Sequence, residues 1–290
     1  MLKLSIVIVN FNAGNFLLEC LSSVKQVINE ADVSVYIIDN ASSDDSAKTA
    51  KQEFPEFNFI LNPENLGFGK GNNLALEKIK EGYILLLNPD TKLEKGVISK
   101  MLEFMEAHLE VGISTCKIVF PDGRLDLTAH RGFPTPWASF KYYFLKDDSL
   151  YHLRQMDMSG PHEVDAIAGA FMLTRADVLK KVGLFDEDYF LYAEDIDLCF
   201  RIKEAGFKVV YVPSVSIVHY KGVSSGLKKD SQSVTTADPE TRRRSLDAFY
   251  ISMLTFYKKQ MSKKYPFFIN WLVYLGINIK WWMAKRKLTV

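Results

Sequence analysis

The chain has 290 residues, 48% of them hydrophobic, and a formal net charge of +1 at pH 7. This length and composition predict one or two domains with a large buried core. The three cysteines, Cys20, Cys116 and Cys199, are scattered and form no CxxC pair, which argues against a disulfide framework or a zinc site and fits a reducing cytoplasm. The N-terminal apolar run is too short for a signal peptide.

The first hundred residues alternate strand and helix patterns. Strands are predicted over 4–9, 33–38, 57–61 and 83–87, and helices over 16–28, 43–54, with Ser43 as N-cap, and 71–80. This alternation predicts βαβ units and an α/β fold with a parallel sheet. A polar cluster follows each strand, and ligands of open α/β sheets bind at the carboxyl ends of the strands. We therefore expect the ligand site at that edge.

The second half of the chain is less regular. Residues 127–162 lack clear periodicity and predict a variable, aromatic-rich excursion. A helix is predicted to begin at Glu194 and to end at Gly206, and the strand pattern after it ends at His219. Residues 224–240 predict a polar linker, and a further helix should begin at Asp238–Pro239.

Five segments in order resemble family 2 glycosyltransferases, in particular the bacterial rhamnosyltransferase-like branch with the GT-A fold. They are "SIVIVNFN" (5–12), "IIDNASSDDS" (37–46), "NLGFGKGNN" (65–73), "LLLNPDT" (85–91) and the stretch from "GAFMLT" to "SIVH" (169–219). The resemblance covers about residues 3–225. It implies a GT-A catalytic domain over 1–225, with a mostly parallel central sheet flanked by helices. A linker and an amphipathic, basic helical region would occupy 226–290.

The resemblance places the nucleotide at the ends of the first two strands. In such enzymes the acid at the position of Asp39 accepts a hydrogen bond from the pyrimidine N–H, and a carboxylate is a natural acceptor for that donor. Asn10 and Asn12 would line the same pocket. The alternative is that Asp39 only starts the turn "DNAS".

The glycine-rich segment at 65–73 lies between a strand and a helix. Glycines permit close backbone approach, and a helix N-terminus favours anions. The resemblance implies that Gly67, Lys70 and Asn73 face the nucleotide-sugar. A tight turn with a surface lysine is the alternative.

"NPD" (88–90) corresponds to the DxD-type motif of the family, with Asn88 in place of the first acid. A leaving diphosphate needs its charge neutralised, and Mg²⁺ or Mn²⁺ does this with oxygen ligands. Asp90 is the predicted metal ligand and donor contact, and the resemblance adds His219 as a second metal ligand. A simple type I turn at "NPDT" and a structural His219 are the alternatives.

"YAEDIDLC" (192–199) matches the catalytic signature of the family, in which the second acid is the general base. An inverting transfer needs one carboxylate to take the proton of the acceptor hydroxyl. Asp195 is therefore the predicted base, Glu194 a supporting or acceptor-contacting group, and Asp197 structural. Acids in a first helical turn are also favoured by the helix dipole alone.

Two small residues complete the predicted site. Gly169 and Ala170, on the preceding strand, would leave space beside the donor sugar. The hypothesis requires Asp90 and Asp195 to lie on opposite sides of one bound sugar.

The tail is strongly basic. Residues 258–290 contain eight Lys or Arg and no Asp or Glu, interleaved with Trp, Tyr and Phe. A nucleic-acid binder would more often spread basic charge over its folded domain, so this pattern favours an anionic membrane surface and no nucleic acid. The uncharged run 265–279 is shorter than a membrane-spanning helix. A dimer-forming helix and a helix packed on the catalytic domain are the alternatives.

The sequence thus predicts a cytoplasmic, metal-dependent, inverting glycosyltransferase at the inner face of the cell membrane. It would move a sugar, rhamnose from dTDP or a sugar from UDP, to a growing polysaccharide or lipid-linked glycan. The QxxRW signature of processive members is absent, which favours one sugar per encounter. The rival hypothesis is an inactive nucleotide-sugar-binding module that serves as a membrane assembly partner, because Asn88 replaces an acid.

Overall fold

A computed structural model of the chain describes residues 1–153, 155–222, 226 and 235–288. The strands are β1 (Lys3–Asn10), β2 (Asp32–Asn40), β3 (Asn58–Asn62), β4 (Tyr83–Leu87), β5 (Thr91–Lys92), β6 (Val111–Val119), β7 (His130–Arg131), β8 (His162–Glu163), β9 (Ala166–Ile167), β10 (Phe171–Arg175) and β11 (Lys208–His219). The helices are α1 (Asn15–Val27), α2 (Ser46–Glu53), α3 (Phe68–Leu76), α4 (Val97–Ala107), α5 (Pro136–Phe140), α6 (Ser149–His152), α7 (Ala176–Val182), α8 (Glu194–Glu204), α9 (Pro239–Phe256) and α10 (Phe267–Leu288).

The strands form a mixed sheet in the order β3-β2-β1-β4-β10-β6-β11-β5, with β8 on β11. The β1–β4 half is parallel, as predicted, and β6 and β11 are also parallel to each other. Strand β10 runs antiparallel to both β4 and β6, where it joins the two halves. The predicted α/β fold is confirmed.

Helices cover both faces of the sheet, and β1 shows why. Leu4, Ile6 and Ile8 point into one core cluster, whereas Val7 and Val9 point into the other. Successive side chains of a strand point to opposite faces, so a strand buried on both sides must be apolar at nearly every position. The continuous apolar run of β1 therefore follows from its central place in the sheet.

Strand β11 is long and bent, and this bend shapes the carboxyl edge of the sheet. Its pairing with β6 is irregular between Val212 and Ser216, at Pro213. Beyond the bend, His219 pairs with Thr91 of β5, which follows β4 by only a short turn. The end of β11 is thereby brought to the turn after β4.

The C-terminal region packs into the second core cluster of the sheet. Asp238 caps α9 by accepting from the Thr241 N–H, with Pro239 in the first turn, as predicted. Phe256 and Tyr257, at the end of α9, belong to the second core cluster. The predicted linker at 224–240 and the predicted boundary at 225/226 lie largely outside the described residues, and that boundary remains a prediction.

Two local expectations are corrected. Ser43 does not cap a helix, because its N–H and hydroxyl donate to Asn12 and α2 begins only at Ser46. The tail helix α10 is apolar on both faces rather than amphipathic: Ile277 is buried, while Trp271 and Leu275 are exposed. No helix within the described ranges is long and apolar enough to cross a membrane.

Candidate active site

The first two strands end in a buried polar network. Asn10 Nδ2 donates to Asp39 Oδ1 at 2.8 Å and also to the hydroxyls of Ser42 and Ser46. Asp39 additionally accepts from the Ser42 hydroxyl and its N–H. These three bonds use three of the roughly four lone-pair sites of a carboxylate, so within the described chain Asp39 keeps about one for a ligand.

Asp39 lines a surface depression at the carboxyl edge of the sheet. The depression has a volume of about 480 Å³ and includes the exposed side chain of Leu61 beside the carboxylate. An exposed leucine beside a carboxylate acceptor fits a nitrogen heterocycle with an N–H group. Its remaining lining residues are Ser42, Asp44, Ala47, Lys48, Lys51 and Gln52.

Asn12 connects the two loops of this network instead of pointing away from them. Its Oδ1 accepts from the backbone N–H groups of Ser43 and Asp44, and its carbonyl accepts from the Thr236 hydroxyl at 2.6 Å. Its φ of 49° is in the left-handed region, which Asn tolerates better than most residues. Direct contact of Asn12 with a nucleotide remains a prediction.

The glycine-rich segment holds the loop that precedes α8. Asn73 Nδ2 donates to the Phe185 carbonyl, and Asn73 Oδ1 accepts from the Phe185 N–H. Lys70 lies 3.7 Å from Glu187 on the surface. The Phe68 N–H donates to the Phe190 carbonyl at 2.9 Å. These contacts position the loop, and a direct role of Gly67, Lys70 and Asn73 toward the donor remains a prediction.

Gly67 is where the glycine-rich segment comes closest to the loop before α8. Replacing Gly67 with Ala is expected to be strongly destabilising. Its φ of +83° and ψ of −178° suit glycine alone, and an added Cβ would lie 2.1 Å from the Phe190 carbonyl oxygen. Gly96 is the matched control, because its φ is +85° and nothing lies within 4 Å of an added Cβ. We expect Gly96→Ala to cost about 1–2 kcal/mol of unfolding free energy. Gly67→Ala should cost at least about 2 kcal/mol more, measured by urea unfolding. Equal losses would contradict this packing.

Asp90 and His219 meet at the bend of the sheet. The Tyr220 N–H donates to the Asp90 carbonyl at 2.9 Å, next to the β5–β11 pairing. His219 Nε2 lies 3.2 Å from Asp90 Oδ1, and both side chains are buried. Among the residues that the structure describes, Nδ1 of His219 has no hydrogen-bond partner. Buried polar atoms without partners are rare and point to a ligand.

This pair fits a divalent cation. Two neighbouring ligands of an octahedral Mg²⁺, each at about 2.1 Å, are about 3 Å apart, close to the separation seen here. In the part of the chain that the structure describes, no group of three or more His, Cys, Asp or Glu could hold a metal ion. Mg²⁺ usually keeps waters and substrate phosphates as ligands, so two protein donors are compatible with it.

A short chain of backbone contacts connects this pair to the predicted base. The Asn88 N–H donates to the Ala170 carbonyl at 3.1 Å, and the Gly169 N–H donates to Asp195 Oδ2 at 3.2 Å. Gly169 and Ala170 thus lie between the "NPD" turn and the start of α8. Phe68 packs against Gly169, where an added Cβ would lie 3.2 Å from the ring.

Asp195 is held by an arginine that the sequence did not single out. Arg131 Nη2 lies 2.8 Å from Asp195 Oδ2, and both side chains are largely buried. Burial acts to lower the pKa of Arg131, but the negative charge of Asp195 and the Tyr151 hydroxyl together more than offset it, so the pKa is raised and the guanidinium stays charged. Asp195 Oδ1 accepts from the Ile196 N–H at 2.8 Å. The carboxylate therefore has a fixed orientation with about one of its roughly four lone-pair sites left.

The carboxyl group of Glu194 has a raised pKa. Burial, followed by the negative charge of Asp195, raises the pKa of Glu194 to about 8. Its Oε2 is buried and has no hydrogen-bond partner within the described part of the chain. At neutral pH Glu194 is thus mainly protonated and can donate a hydrogen bond, whereas an ionised Asp195 can only accept.

The backbone immediately before α8 is strained. Tyr192 and Ala193 have φ values of 71° and 64°, a conformation costly for residues other than glycine and concentrated at functional sites.

Asp197 is fully buried, and its carboxylate accepts from Arg201 at 2.8 Å and from Gln260 at 2.7 Å. The predicted structural role of Asp197 agrees with these contacts.

The architecture is the GT-A fold. The fold resembles that of GalNAc-T7 crystallised with UDP, GalNAc and Mn²⁺, with a TM-score of 0.59 and 16% identity, over 92% of this chain and 52% of that one. Residues 3–245 match the family described as "Glycosyltransferase like family 2". The chain therefore belongs to glycosyltransferase family 2, as the sequence motifs predicted.

Two curated relatives are rhamnosyltransferases. An N-acetylglucosaminyl-diphospho-decaprenol L-rhamnosyltransferase of Mycobacterium tuberculosis (strain CDC 1551 / Oshkosh) is 29% identical over 241 residues, which are 77% of this chain and 78% of that protein. Rhamnosyltransferase WbbL of Escherichia coli (strain K12) is 32% identical over 163 residues, which are 53% of this chain and 61% of that protein.

Proposed function

We propose that the protein is an inverting, metal-dependent and non-processive hexosyltransferase. Its donor would be a nucleoside-diphosphate sugar, and its acceptor a growing polysaccharide or a lipid-linked glycan. The observation that carries this proposal is the position of Gly169 and Ala170, which are bonded to Asp195 on one side and to the "NPD" turn on the other. A base and a diphosphate-side ligand pair would thus flank one sugar.

In this mechanism Asp195 acts on the acceptor. Its carboxylate takes the proton of the acceptor hydroxyl while that oxygen bonds to the anomeric carbon from the face opposite the leaving group. The bond from the anomeric carbon to the diphosphate oxygen breaks, and the nucleoside diphosphate leaves with the electron pair. Arg131 holds the carboxylate in place, and protonated Glu194 can donate a hydrogen bond to a sugar or acceptor oxygen.

Asp90 and His219 would hold the cation on the leaving-group side. A bound Mg²⁺ or Mn²⁺ would neutralise charge that develops on the departing diphosphate. Asp39, with Asn10 holding its carboxylate, would accept from the pyrimidine N–H at the far end of the donor. Asn12, Gly67, Lys70 and Asn73 would shape the donor end through the loops that they connect.

Rhamnose carried by dTDP is our first choice of donor, because both relatives above are named rhamnosyltransferases. The diphospho-decaprenol in the name of one relative favours a lipid-linked acceptor here. A UDP-sugar is the second choice, since Asp39 can serve uracil or thymine alike. Such an acceptor would place the enzyme peripherally at the inner face of the membrane, with α10 in contact with it; homodimer formation through α10 is an alternative use.

A panel of donors tests the proposal. The protein is incubated with dTDP-rhamnose, UDP-glucose and UDP-N-acetylglucosamine, with and without Mn²⁺, and both thermal stabilisation and nucleoside-diphosphate release are measured. We expect one donor to stabilise the protein and to be turned over only with the cation. Donor binding without turnover in the presence of a verified lipid-linked acceptor would support the rival hypothesis of an inactive binding module, which is based on Asn88 in place of an acid.

A further inference from the structure

The exposed aromatic side chains are concentrated in two segments. Within the described ranges, every exposed Phe, Trp or Tyr belongs either to residues 137–144 or to α10. The first segment lies within the excursion 127–162, a few residues after Arg131, and the second is the basic tail helix. Exposed apolar patches of this kind mark interaction surfaces.

The excursion presents a row of stacked rings. Trp137 and Phe140 have ring centroids 5.6 Å apart, and Phe140 and Phe144 have centroids 5.2 Å apart. Trp137 is 60% exposed and Phe144 is 68% exposed. The row stands on α5 and on the wide helical turn Lys141–Leu145. Its rings thus pack on one another and remain open to solvent.

Helix α10 has one covered and one open face. On the covered face Trp281 donates to Asp247 of α9 at 2.7 Å, and Tyr274 packs on Tyr257. The open face is as apolar as the covered one. Its exposed large side chains recur every three or four residues: Phe268, Trp271, Leu272, Leu275, Ile279, Trp282 and Met283.

The two segments are neighbours, and α10 supplies positively charged side chains next to their aromatic rings. Lys280 of α10 lies 4.8 Å from the centroid of the Tyr143 ring, so the helix and the excursion meet at that point. Arg286 lies over the Trp282 ring at 3.7 Å, and Lys287 is exposed beyond it. No Asp or Glu occurs from 258 to 290.

We propose that residues 137–145 and the open face of α10 form one docking surface for an anionic lipid bilayer. This proposal deepens the proposed function. The proposed lipid-linked acceptor supplies only the reason for docking, and the docking itself does not depend on it. Trp, Tyr and Phe beside Lys and Arg are typical of segments that lie in the membrane interface. Charge complementarity also favours lipid over a second copy of the chain, because lysine is depleted at protein interfaces and two copies would repel each other here.

The docking surface is connected to the catalytic carboxylate. Arg131, which holds Asp195, lies 3.4 Å from the Tyr151 hydroxyl, and the Tyr151 carbonyl accepts from the Gly132 N–H. Tyr151 packs on Tyr142 of the excursion, with centroids 5.8 Å apart. A docked protein would therefore hold the Asp195 side of its cleft near the bilayer, where the hydroxyl of a lipid-linked acceptor would arrive.

Vesicle binding tests the docking surface. The full chain is sedimented with phosphatidylcholine vesicles that contain or lack phosphatidylglycerol, without donor or acceptor. The variants are Trp137→Ser/Phe144→Ser and Trp271→Ser/Leu275→Ser, and the control is Leu109→Ser, which alters a 67% exposed side chain outside both segments. Circular dichroism checks that each variant is folded. We expect binding to anionic vesicles that weakens with salt, at least a tenfold weaker partition for each double variant, and no change for the control.

Unchanged partition of folded Trp137→Ser/Phe144→Ser would overturn the proposal, and so would equal binding to neutral and anionic vesicles. Sedimentation velocity adds a second readout. A dimer that dissociates in Trp271→Ser/Leu275→Ser, with vesicle binding intact, would assign the open face to a second copy and likewise overturn it. Because the vesicle assay needs no turnover, its failure is distinct from a failure of the proposed transferase activity.

Discussion

Asp195→Asn is expected to lower kcat for sugar transfer by about 10²–10⁴-fold, the usual contribution of a general base. Asn keeps the size of the side chain, and its single oxygen can still accept from the Arg131 guanidinium and the Gly169 N–H at the Oδ2 position. Only the bond from the Ile196 N–H is lost, so the fold and donor binding should survive. Its amide cannot take a proton from the acceptor hydroxyl. Single-turnover transfer with a saturating donor, together with donor affinity by calorimetry, separates the chemical step from binding.

Glu194→Gln is the matched control for this experiment. Because burial keeps Glu194 largely protonated at neutral pH, Gln retains both its neutral charge and its ability to donate a hydrogen bond. We expect a loss of less than about tenfold in kcat, well below the loss for Asp195→Asn. The reverse order of the two losses would assign the base to Glu194 and would rule out the proposed role of Asp195.

Replacing either member of the buried Asp90–His219 pair is expected to abolish most of the metal-dependent turnover. Asp90→Asn removes the carboxylate of the pair, and His219→Ala removes its nitrogen ligand. Because the proposed site has only two protein ligands, loss of either one should weaken cation binding strongly. The Mn²⁺ concentration for half-maximal turnover should therefore rise by at least about tenfold in each variant.

Direct measurement of bound Mn²⁺ by electron paramagnetic resonance, with UDP or dTDP present, tests the pair independently of turnover. His108→Ala is the control, because His108 stacks on Phe104 at the end of α4 and contacts neither Asp90 nor Thr91. Retention of full Mn²⁺ affinity in both His219→Ala and Asp90→Asn would show that this pair does not bind the cation.

The parallel half of the fold could be predicted because its signals are local. The apolar run of β1 and the polar residues after it determine both a buried central strand and a polar strand end. The predicted closeness of Asn10 and Asp39 follows, since neighbouring parallel strands end at the same edge of the sheet. The predicted start of α8 at Glu194 was equally local.

Arg131 could not be predicted, because its partner Asp195 is 64 positions away and its own segment has no regular pattern. The short pairing of β7 with β9 brings Arg131 to its place, and strands of two residues leave no periodicity in a sequence. The approach of His219 to Asp90 likewise depends on the bend of β11 near Pro213.

The glycine-rich segment illustrates a different limit. Its composition predicts a close approach of the backbone, and Gly67 does make one. The sequence does not say what is approached. In the structure the neighbour is the Phe190 carbonyl, and Asn73 is occupied by the same loop. A motif that resembles a ligand cradle can thus serve to position a second loop.

Arg244 of α9 lies between two rings next to the proposed donor site, 5.4 Å from the centroid of Phe11 after β1 and 5.5 Å from that of Phe190 before α8. The returning C-terminal segment would therefore form part of the wall of that site. A chimera that joined this chain to a relative near residue 225 would exchange that wall together with the tail. Swaps intended to transplant only membrane affinity would then alter donor selectivity as well, unless the junction were moved beyond α9.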